Sequence, residues 1–467
     1  MLNEESLRNT IKGVVEIDGE RTMTVTDANR LRSGVVEKLA RHAVFAEKQQ
    51  VRDASRWLIR RLGEAVGVTS ASIFPLYHAR GRGECGGFTV PAINIRTLTY
   101  DVARAACRAA KRLDAGAIVF EIARSEIRYT EQRPAEYAAA VAAAAIQEDF
   151  LGPLFIQGDH FQVSASAFFK GDRDKEIAAL RDLIEEALAA GFLNIDIDSS
   201  TLVVLDRPSI DDQQEENCRV AAELTAHVIA HAPKGAQISI GGEIGEVGGK
   251  NSTVEELRAY MRGYRGHLER IAAGGYGISK ISVQTGTTHG GVPLPDGTIA
   301  KVAVDFDTLR ELSKVARQEF GMAGAVQHGA STLPEELFGK FPDVETAEIH
   351  LATGFQNLIY DHPAFPPDLR SEMYDLLARA HANERKKDMT DQQFYYKTRK
   401  QALGPFKRQL WDLPPEIRQA IGVDLERTFA DMFGRLHLQG TRALVERFVK
   451  PVSTTPPPPA SLAAIVS

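Results

Sequence analysis

Three histidines that lie far apart along the chain have the residue type and setting of a catalytic metal site. His160 occurs in GDH, His289 in TTHGG and His328 in QHGAST, each at or just after a short apolar run. Three imidazoles without thiolates suit a catalytic zinc ion that keeps one position open for water or a substrate oxygen. A single histidine of this kind is more often a buried structural residue, so the prediction depends on all three.

Glycines follow two of these histidines directly, Gly290 after His289 and Gly329 after His328. Accessible backbone N–H groups bind phosphate without side-chain charge. Anion binding has to be local here, because 56 basic against 62 acidic residues give a net charge of -6. The chain therefore has no general positive field for nucleic acid or an anionic membrane. We expect a small phosphorylated substrate and neither a nucleic-acid nor a membrane partner.

The elements that must position these residues begin at residue 86, where short apolar, β-branched runs start to alternate with helical patterns. The eight runs are 88–95, 115–122, 153–159, 192–198, 236–242, 278–285, 323–328 and 346–352, with helices expected over 99–112, 134–148, 174–190, 214–231, 253–274 and 306–319. Eight such units predict a (β/α)8 TIM barrel. A doubly wound sheet is the competing fold, but GGEIGEVGGK (241–250) has neither GxGxxG nor P-loop spacing.

The barrel is expected to carry additions at both ends. Residues 1–85 predict a helical N-terminal extension, 86–370 the catalytic barrel, 371–450 a C-terminal helical region, and 451–467 a Pro-rich, disordered tail. In the first region, Thr26 and Asp27 are candidate helix caps. No stretch is apolar for long enough to cross a bilayer, and the three cysteines lack CxxC spacing. These features favour a reducing, cytoplasmic setting.

In a barrel, polar residues at the carboxyl ends of the strands face the active site. In chain order these are Asn94, Glu121, Asp159 with His160, Asp198 with Ser200, Glu243, Thr285 leading to His289, His328, and the segment from His350 to Thr353. The potential ligands are thus concentrated where a single site would form.

Seven motifs occur in an order and spacing that resembles the class II, metal-dependent fructose-bisphosphate aldolases. They are PAINIR (91–96), GDH (158–160), GFLNIDIDSS (191–200), EENCRVAAELTAHVIAH (215–231), GEIGEVGG (242–249), QTGTTHGG (284–291) and HGASTLPEE (328–336). The resemblance covers about residues 86–370 and, more faintly, FYYKTRKQALG (394–404). It implies a carbon–carbon lyase of carbohydrate metabolism such as glycolysis. Such an enzyme reversibly cleaves a ketose phosphate or bisphosphate, with fructose 1,6-bisphosphate as the nearest family substrate, to dihydroxyacetone phosphate and an aldehyde.

The resemblance also implies roles for individual residues. Zn²⁺ or another divalent ion would be held by His160, His289 and His328. Asp159 matches the aspartate that exchanges a proton with the hydroxyl at the carbon–carbon bond. The remaining matches are Asp198 and Glu243 as further metal ligands or partners of the histidines, Gly290, Gly329 and Ser331 as a cradle for phosphate and a monovalent cation, and Asn94 and Thr353 at substrate-binding positions. A homodimer or larger homo-oligomer is expected.

The chain departs from the family pattern at several positions. His350 and Ala352 replace an asparagine and an aspartate after the eighth strand, and Ala123 replaces a serine after the second. Alternative anion contacts near Ala123 are Arg124, Ser125 and Arg128. The departures leave two other functions open: a non-catalytic or regulatory aldolase-like barrel, and a metal-dependent barrel hydrolase.

The family glutamate that moves the substrate C–H proton has three candidates, Glu246, Glu255 and Glu256. Glu255 and Glu256 equally suit the first turn of a helix, where the macrodipole favours acidic residues. The assignment of this glutamate therefore stays open.

Overall fold

The computed structural model describes residues 2–18, 22–245, 250–286 and 303–462. Its N-terminal region comprises α1 (Glu4–Ile11), β1 (Val15–Asp18), β2 (Thr22–Val25), α2 (Ala28–Arg30), a π-helical segment (Leu31–Val35), α3 (Val36–Phe45), α4 (Gln49–Val66), β3 (Val68–Ala71) and α5 (Phe74–Gly81). Asp27 caps α2, because its carboxylate accepts a hydrogen bond of 2.8 Å from the Arg30 N–H. Gly34, with a φ of +119°, interrupts the helical path between α2 and α3. The three strands depend on pairing partners rather than on local periodicity, so the sequence pattern does not predict them.

Eight parallel strands close into a barrel. They are β4 (Val90–Asn94), β5 (Val119–Ala123), β6 (Gly152–Gln162), β7 (Asn194–Asp198), β8 (Ser239–Glu243), β9 (Lys280–Val283), β10 (Ala325–Gln327) and β11 (Glu348–Leu351). Each strand pairs with its successor, and β11 pairs with β4 to complete the circle. The predicted (β/α)8 TIM barrel is confirmed, and each predicted run overlaps one strand. The doubly wound alternative is wrong.

Helices cover the outside of the barrel: α6 (Thr99–Arg112), α7 (Arg124–Tyr129), α8 (Pro134–Gln147), α9 (Ala165–Lys170), α10 (Arg173–Ala190), α11 (Ile210–His231), α12 (Val254–Ile271), α13 (Phe306–Phe320), α14 (Lys340–Asp343) and α15 (Thr353–Asp361). Single 3₁₀ turns lie at 200–202, 330–332 and 335–337. In α6, Ala103, Ala106 and Ala110 recur at helical spacing and are fully buried, whereas Lys111 is exposed. Such amphipathic spacing explains why the six predicted helices match α6, α8, α10, α11, α12 and α13.

The N-terminal region joins the barrel through strand pairing. Strand β3 pairs with the first part of β6, from Val68 against Gly152 to Ala71 against Phe155. Asn194, fully buried at the start of β7, donates to the Ala71 carbonyl at 3.2 Å and accepts from the Ile73 N–H at 2.9 Å. The extension is therefore anchored to the strand that carries the GDH motif.

The C-terminal region is helical: α16 (Pro367–Ala380), α17 (Asp391–Thr398), α18 (Lys407–Trp411), α19 (Pro415–Arg435) and α20 (Arg442–Phe448), with 3₁₀ turns at 382–384 and 399–402. The helical path is broken between α19 and α20, where His437 and Gly440 adopt φ values of +58° and +74°. None of the described helices combines the length and apolar character needed to cross a membrane.

Part of the Pro-rich tail lies against α4. Trp57 Nε1 donates to the Pro456 carbonyl at 2.9 Å, and Arg60 donates to the Thr454 carbonyl at 2.8 Å. The structure therefore differs from the predicted disordered tail at these residues. Prolines restrict the unbound chain, so an extended proline segment loses little entropy when α4 supplies donors. The predicted boundaries between the four regions stay a prediction.

Candidate active site

A bulge in β6 turns two consecutive side chains toward the same end of the barrel. The register against β7 advances from Gly158 opposite Ile195 to Phe161 opposite Ile197, so β6 carries one extra residue. His160, inside the bulge, has a φ of +39°, which is unusual for a residue other than glycine. Neighbouring residues of a regular strand point to opposite faces, whereas here Asp159 and His160 both line one cavity.

Gly158 makes room for this bulge. A Cβ atom at Gly158 would lie 2.4 Å from Cζ of Phe161, whose side chain is fully buried. The glycine of the GDH motif is therefore required by packing against the residue that ends the bulge.

Carboxylates hold the His160 ring from behind. Its Nδ1 lies 2.8 Å from Asp198 Oδ2 and 3.4 Å from Glu243 Oε2. Asp198 is fixed in turn, because Gln162 Nε2 and Ser200 Oγ each donate to it at 2.6 Å. The predicted association of His160, Asp198 and Glu243 is thus present in the structure. Such carboxylate partners orient a metal-ligating imidazole and raise its basicity.

The charges of this cluster shift its protonation. Burial raises the pKa of Glu243 to about 8, and the Asp198 carboxylate adds to the effect. Burial alone would also raise the pKa of Asp198, but hydrogen bonds from His160, Ser200 and Gln162 lower it. Burial disfavours a charged His160, yet Asp159 and Glu243 outweigh it and raise the pKa of His160 well above its ordinary value. The raised pKa values of Glu243 and His160 show that the cluster favours added positive charge, which a proton or a metal ion can supply.

His328 completes a set of donors for a divalent ion. Its ring lies 4.2 Å from that of His160, centroid to centroid, and its Nε2 is 3.0 Å from Ser282 Oγ. The ligand atoms of His160, Glu243 and His328 lie within 4.8 Å of one another, and so do those of Asp159, His328 and His350. Buried imidazole nitrogens and carboxylate oxygens grouped in this way are the ligands that zinc and similar ions take. The residues present therefore fit a divalent ion.

His350, a departure from the family pattern, belongs to the same cluster. Its ring lies 4.2 Å from that of His328. Nδ1 is 3.1 Å from Glu121 Oε2 and 3.2 Å from Asp159 Oδ1, and Nε2 is 2.8 Å from Glu348 Oε1. Burial disfavours the imidazolium, but Glu121 and Asp159 outweigh it and raise the pKa of His350 well above its ordinary value. His350 links the strand-end carboxylates to charges deeper in the barrel.

Lys280 is the centre of those deeper charges. Its Nζ donates to Gln157 Oε1 at 2.8 Å, to Asp196 Oδ2 at 2.9 Å and to Glu348 Oε1. Gly241 leaves space for the Asp196 carboxylate, since a Cβ there would lie 2.3 Å from Asp196 Oδ1. Burial opposes the Lys280 charge, but Asp196 and Glu348 raise its pKa above the ordinary value. The barrel interior below the site is a hydrogen-bonded ionic network rather than an apolar core.

A cavity of about 1240 Å³ opens above these residues at the carboxyl ends of the strands. The predicted residues on its wall are Asn94, Asp159, His160, His328, Gly329, Ser331 and Thr353. Asn94 donates to Glu126 Oε2 at 2.5 Å, and Arg96 pairs with Glu126 Oε1 at 2.7 Å and donates to Thr353 Oγ1 at 3.3 Å. Ser331 Oγ accepts from the Ala352 N–H at 2.6 Å. Asp198 and Glu243 lie behind His160 rather than on this wall.

Two cations on the cavity wall have no acidic partner in the described parts of the chain. Arg128 lies on α7, and Lys400 lies in the 3₁₀ turn before α18, with its ammonium 5.6 Å from the Tyr129 ring centre. Arg124, by contrast, pairs with Glu176 at 2.5 Å. Burial lowers the pKa of Lys400, and the nearby Arg96 charge adds to this. Because neither cation has a direct acidic partner in the described residues, both are available to an anion in the cavity.

Several predicted residues fall outside the described ranges or take another role. His289, Gly290 and Glu246 lie outside the described residues. Glu256 accepts from the Thr253 N–H at 2.8 Å in a capping box at the start of α12. Its carboxylate therefore serves a helix start, as the alternative interpretation expects.

Sequence reasoning missed Arg96, Asp196, Lys280, Glu348 and Lys400 as parts of the site or its support. Lys280 occurs within ISKISV and Glu348 within TAEIHL. A charged residue inside an apolar run is the available signal, because a parallel strand covered on both faces has no place for it unless the barrel interior is ionic.

Comparison with protein families agrees with this geometry. The model for "Fructose-bisphosphate aldolase class-II" matches residues 81–403, more than half of the chain. The chain belongs to this family. Membership supports an aldolase-type lyase, and the match includes all but the last residue of the 394–404 segment. None of the curated proteins compared matches the chain significantly.

Solved structures share the fold at low identity. A probable tagatose 6 phosphate kinase from Sinorhizobium meliloti 1021 is 18% identical with a TM-score of 0.50, covering 81% of this chain and 96% of its own. A putative fructose-1,6-biphosphate aldolase from Coccidioides immitis is also 18% identical, with a TM-score of 0.45 and coverages of 79% and 96%. Fructose-bisphosphate aldolase from Campylobacter jejuni is 16% identical, with a TM-score of 0.46 and coverages of 78% and 93%. At these identities the likeness concerns the fold alone.

Proposed function

We propose that this protein is a metal-dependent aldolase that cleaves a ketose phosphate or bisphosphate to dihydroxyacetone phosphate and an aldehyde. The observation that carries the proposal is the bulge in β6, which presents Asp159 and His160 together to the cavity beside His328. A proton-transfer group and a metal ligand as chain neighbours are what a retro-aldol step needs, since the hydroxyl to be deprotonated lies close to the carbonyl to be polarised.

His160 and His328 would hold Zn²⁺ or another divalent ion, with His289 as the third ligand by family resemblance. When bound, the ion supplies positive charge beside the substrate carbonyl and stabilises the negative charge that develops during carbon–carbon cleavage. Asp198 keeps His160 oriented through its 2.8 Å contact with Nδ1. Glu243 supports the same ring or ligates the ion directly.

Asp159 would take the proton of the substrate hydroxyl as the bond breaks and return it in the condensation direction. His350 Nδ1, 3.2 Å from Asp159 Oδ1, restrains that carboxylate and compensates its charge. In this protein His350 would therefore position Asp159, a contact that replaces the amide of the family pattern.

Two separate places on the cavity wall suit anionic groups of the substrate. Gly329, with a φ of +72°, and Ser331 follow β10, and with Gly290 they would form the cradle for one phosphate and a monovalent cation. Arg128 and Lys400 form the second place. This second place follows β5, which is three strands from β10 around the barrel. This arrangement favours a bisphosphate, with fructose 1,6-bisphosphate as the nearest family substrate. Asn94, Arg96 and Thr353 would contact the sugar between them.

Family membership also supports a cytoplasmic homodimer or larger homo-oligomer acting in carbohydrate metabolism such as glycolysis. The N-terminal region and the helices from α16 to α20 are the proposed contact elements. Size-exclusion chromatography with light scattering measures the assembly directly.

The experiment is a coupled assay of triose phosphate release from a panel of ketose mono- and bisphosphates, with metal content measured on the same samples. His328→Ala should lose both the metal and turnover. His267→Ala is the matched control, because His267 of α12 pairs with Glu215 of α11 at 3.1 Å and neither residue lines the cavity. Full turnover by metal-free His328→Ala protein would refute the proposal.

A second candidate, a non-catalytic aldolase-like barrel, is favoured by Ala123 and Ala352, which remove polar contacts from the cavity wall. It predicts metal retention without triose phosphate release from any member of the panel. A barrel hydrolase instead predicts release of inorganic phosphate.

A further inference from the structure

A second group of metal-ligating side chains lies outside the barrel, between α10 and α11. His227 and His231 stand one helical turn apart on α11, with ring centroids 4.1 Å apart. Glu185 reaches them from α10, with its Oε1 3.1 Å from His227 Nε2 and 3.6 Å from His231 Nε2. Two zinc ligands at a tetrahedral angle are about 3.3 Å apart. The observed spacings bracket this value.

The tautomer of His231 leaves a lone pair facing Glu185. Its Nδ1 lies 2.9 Å from the His227 carbonyl oxygen, and a carbonyl can only accept, so Nδ1 carries the hydrogen. In a neutral ring the Nε2 lone pair then confronts the Glu185 carboxylate oxygen 3.6 Å away. Two electron-pair donors at this separation are mutually unfavourable unless a proton or a metal ion lies between them, and a metal ion can also bind His227 Nε2, 3.1 Å from the same oxygen. A backbone carbonyl holding the other ring nitrogen is also the usual support of a metal-ligating histidine.

No neighbouring basic side chain takes that position in the described ranges. Arg181, one turn before Glu185 on α10, donates to Glu223 Oε1 at 2.8 Å instead. Arg219 also turns to Glu223, at 3.5 Å. The side chains of Glu185 and His231 are 49% and 43% exposed, so an ion can enter from solvent and keep water ligands.

We propose that Glu185, His227 and His231 bind a divalent transition-metal ion, with Zn²⁺ the best match to two imidazoles and one carboxylate. The ion would join α10 to α11, the helices that follow the strands carrying His160 and Asp198. It would act as a structural cross-link, separate from the catalytic ion.

The test counts Zn²⁺ per chain in the zinc-saturated protein after gel filtration. Wild-type protein should hold one equivalent more than His231→Ala or His227→Ala, and His231→Ala should retain its turnover. The matched control is His267→Ala. His267 of α12 lies 3.1 Å from Glu215 of α11, but in the described ranges no second histidine joins this pair. The His267→Ala variant should therefore bind as much zinc as wild type. Equal zinc content in wild-type protein and both α11 variants would overturn the proposal.

A second measurement separates this site from the active site. In a His328→Ala background, Cu²⁺ electron paramagnetic resonance should show nitrogen coupling from a bound ion, and adding His231→Ala should remove that signal. An unchanged nitrogen signal in the double variant would contradict the assignment. Because both proteins lack His328, the outcome does not depend on the aldolase activity.

Discussion

The ionic interior of the barrel gives a prediction whose size follows from the structure. Lys280→Met removes the ammonium that contacts Asp196 at 2.9 Å and Glu348, all within a fully buried network. His350 stays as a cationic partner 2.8 Å from Glu348. The His350 imidazolium compensates only one of the two carboxylates, Asp196 and Glu348. The other carboxylate must either remain charged without a cationic partner or take a proton. Breaking a buried ion pair typically costs about 3–5 kcal/mol.

The protonation route makes this cost depend on pH. Neutralising a carboxyl group whose unfolded pKa is about 4.3 costs roughly 5 kcal/mol at pH 8 and about 2 kcal/mol at pH 5.5. In the wild type, Lys280 outweighs burial and lowers the pKa of Glu348, so the stabilisation from Glu348 is fully present over this window. Burial raises the pKa of Asp196 to about 6, so the wild type itself loses a little stability, less than about 1 kcal/mol, between pH 5.5 and pH 8. In Lys280→Met the carboxyl group left without a cation has a raised pKa in the folded state. The free energy of unfolding of the variant therefore falls as pH rises. The two proteins should therefore differ more at high pH.

Urea unfolding at pH 5.5 and pH 8.0 measures the effect. Lys280→Met should lose about 3 kcal/mol more at the higher pH. The matched control is Arg258→Met. It removes a cation that pairs with a single carboxylate, Glu319, and the two side chains are 43% and 40% exposed. Its loss should stay below about 1 kcal/mol at both pH values. A loss for Lys280→Met that is the same at both pH values would refute the ionic account and indicate a packing defect.

Three further predictions concern the site. Asp198→Asn should weaken metal binding about 10–100-fold, because the amide cannot accept hydrogen bonds from His160, Gln162 and Ser200 as the carboxylate does. A chelating metal indicator measures the affinity, and an unchanged affinity would show that the contact does not orient His160. Gly158→Ala should reduce both metal content and turnover, because its Cβ displaces Phe161 and the bulge; an active variant with full metal content would contradict this. Lys400→Met should raise KM for a ketose bisphosphate while leaving kcat within a few-fold, and equal KM values would remove Lys400 from the substrate site.

The barrel could be predicted from the sequence because each strand and helix is encoded by its own local pattern. Strand β5 appears in AGAIVFEI and α6 in the alanine stripe of 99–112, and both are found where expected. The strands β1, β2 and β3 could not be found this way. They lie outside the alternation of apolar runs and helices that marks the barrel strands, and β3 pairs with the first residues of β6.

The grouping of His160 with Asp198, Glu243 and His328 was likewise predictable, since strand ends of a barrel meet at one place. The bulge was not, because an extra residue in β6 is defined only against the register of β7. Nor was the role of Lys280, whose partners Asp196 and Glu348 lie 84 and 68 residues away in the sequence. Long-range charge compensation leaves no local signature.

The most direct test of the central claim separates metal binding from proton transfer with Asp159→Asn. Metal-loaded wild-type protein should release triose phosphate from a ketose bisphosphate. The variant should keep the same metal content but lose turnover by about 10²-fold or more, because a positioned general acid–base group contributes roughly 10²–10⁴-fold. If metal-loaded Asp159→Asn cleaved the bisphosphate at the wild-type rate, that result would contradict the account.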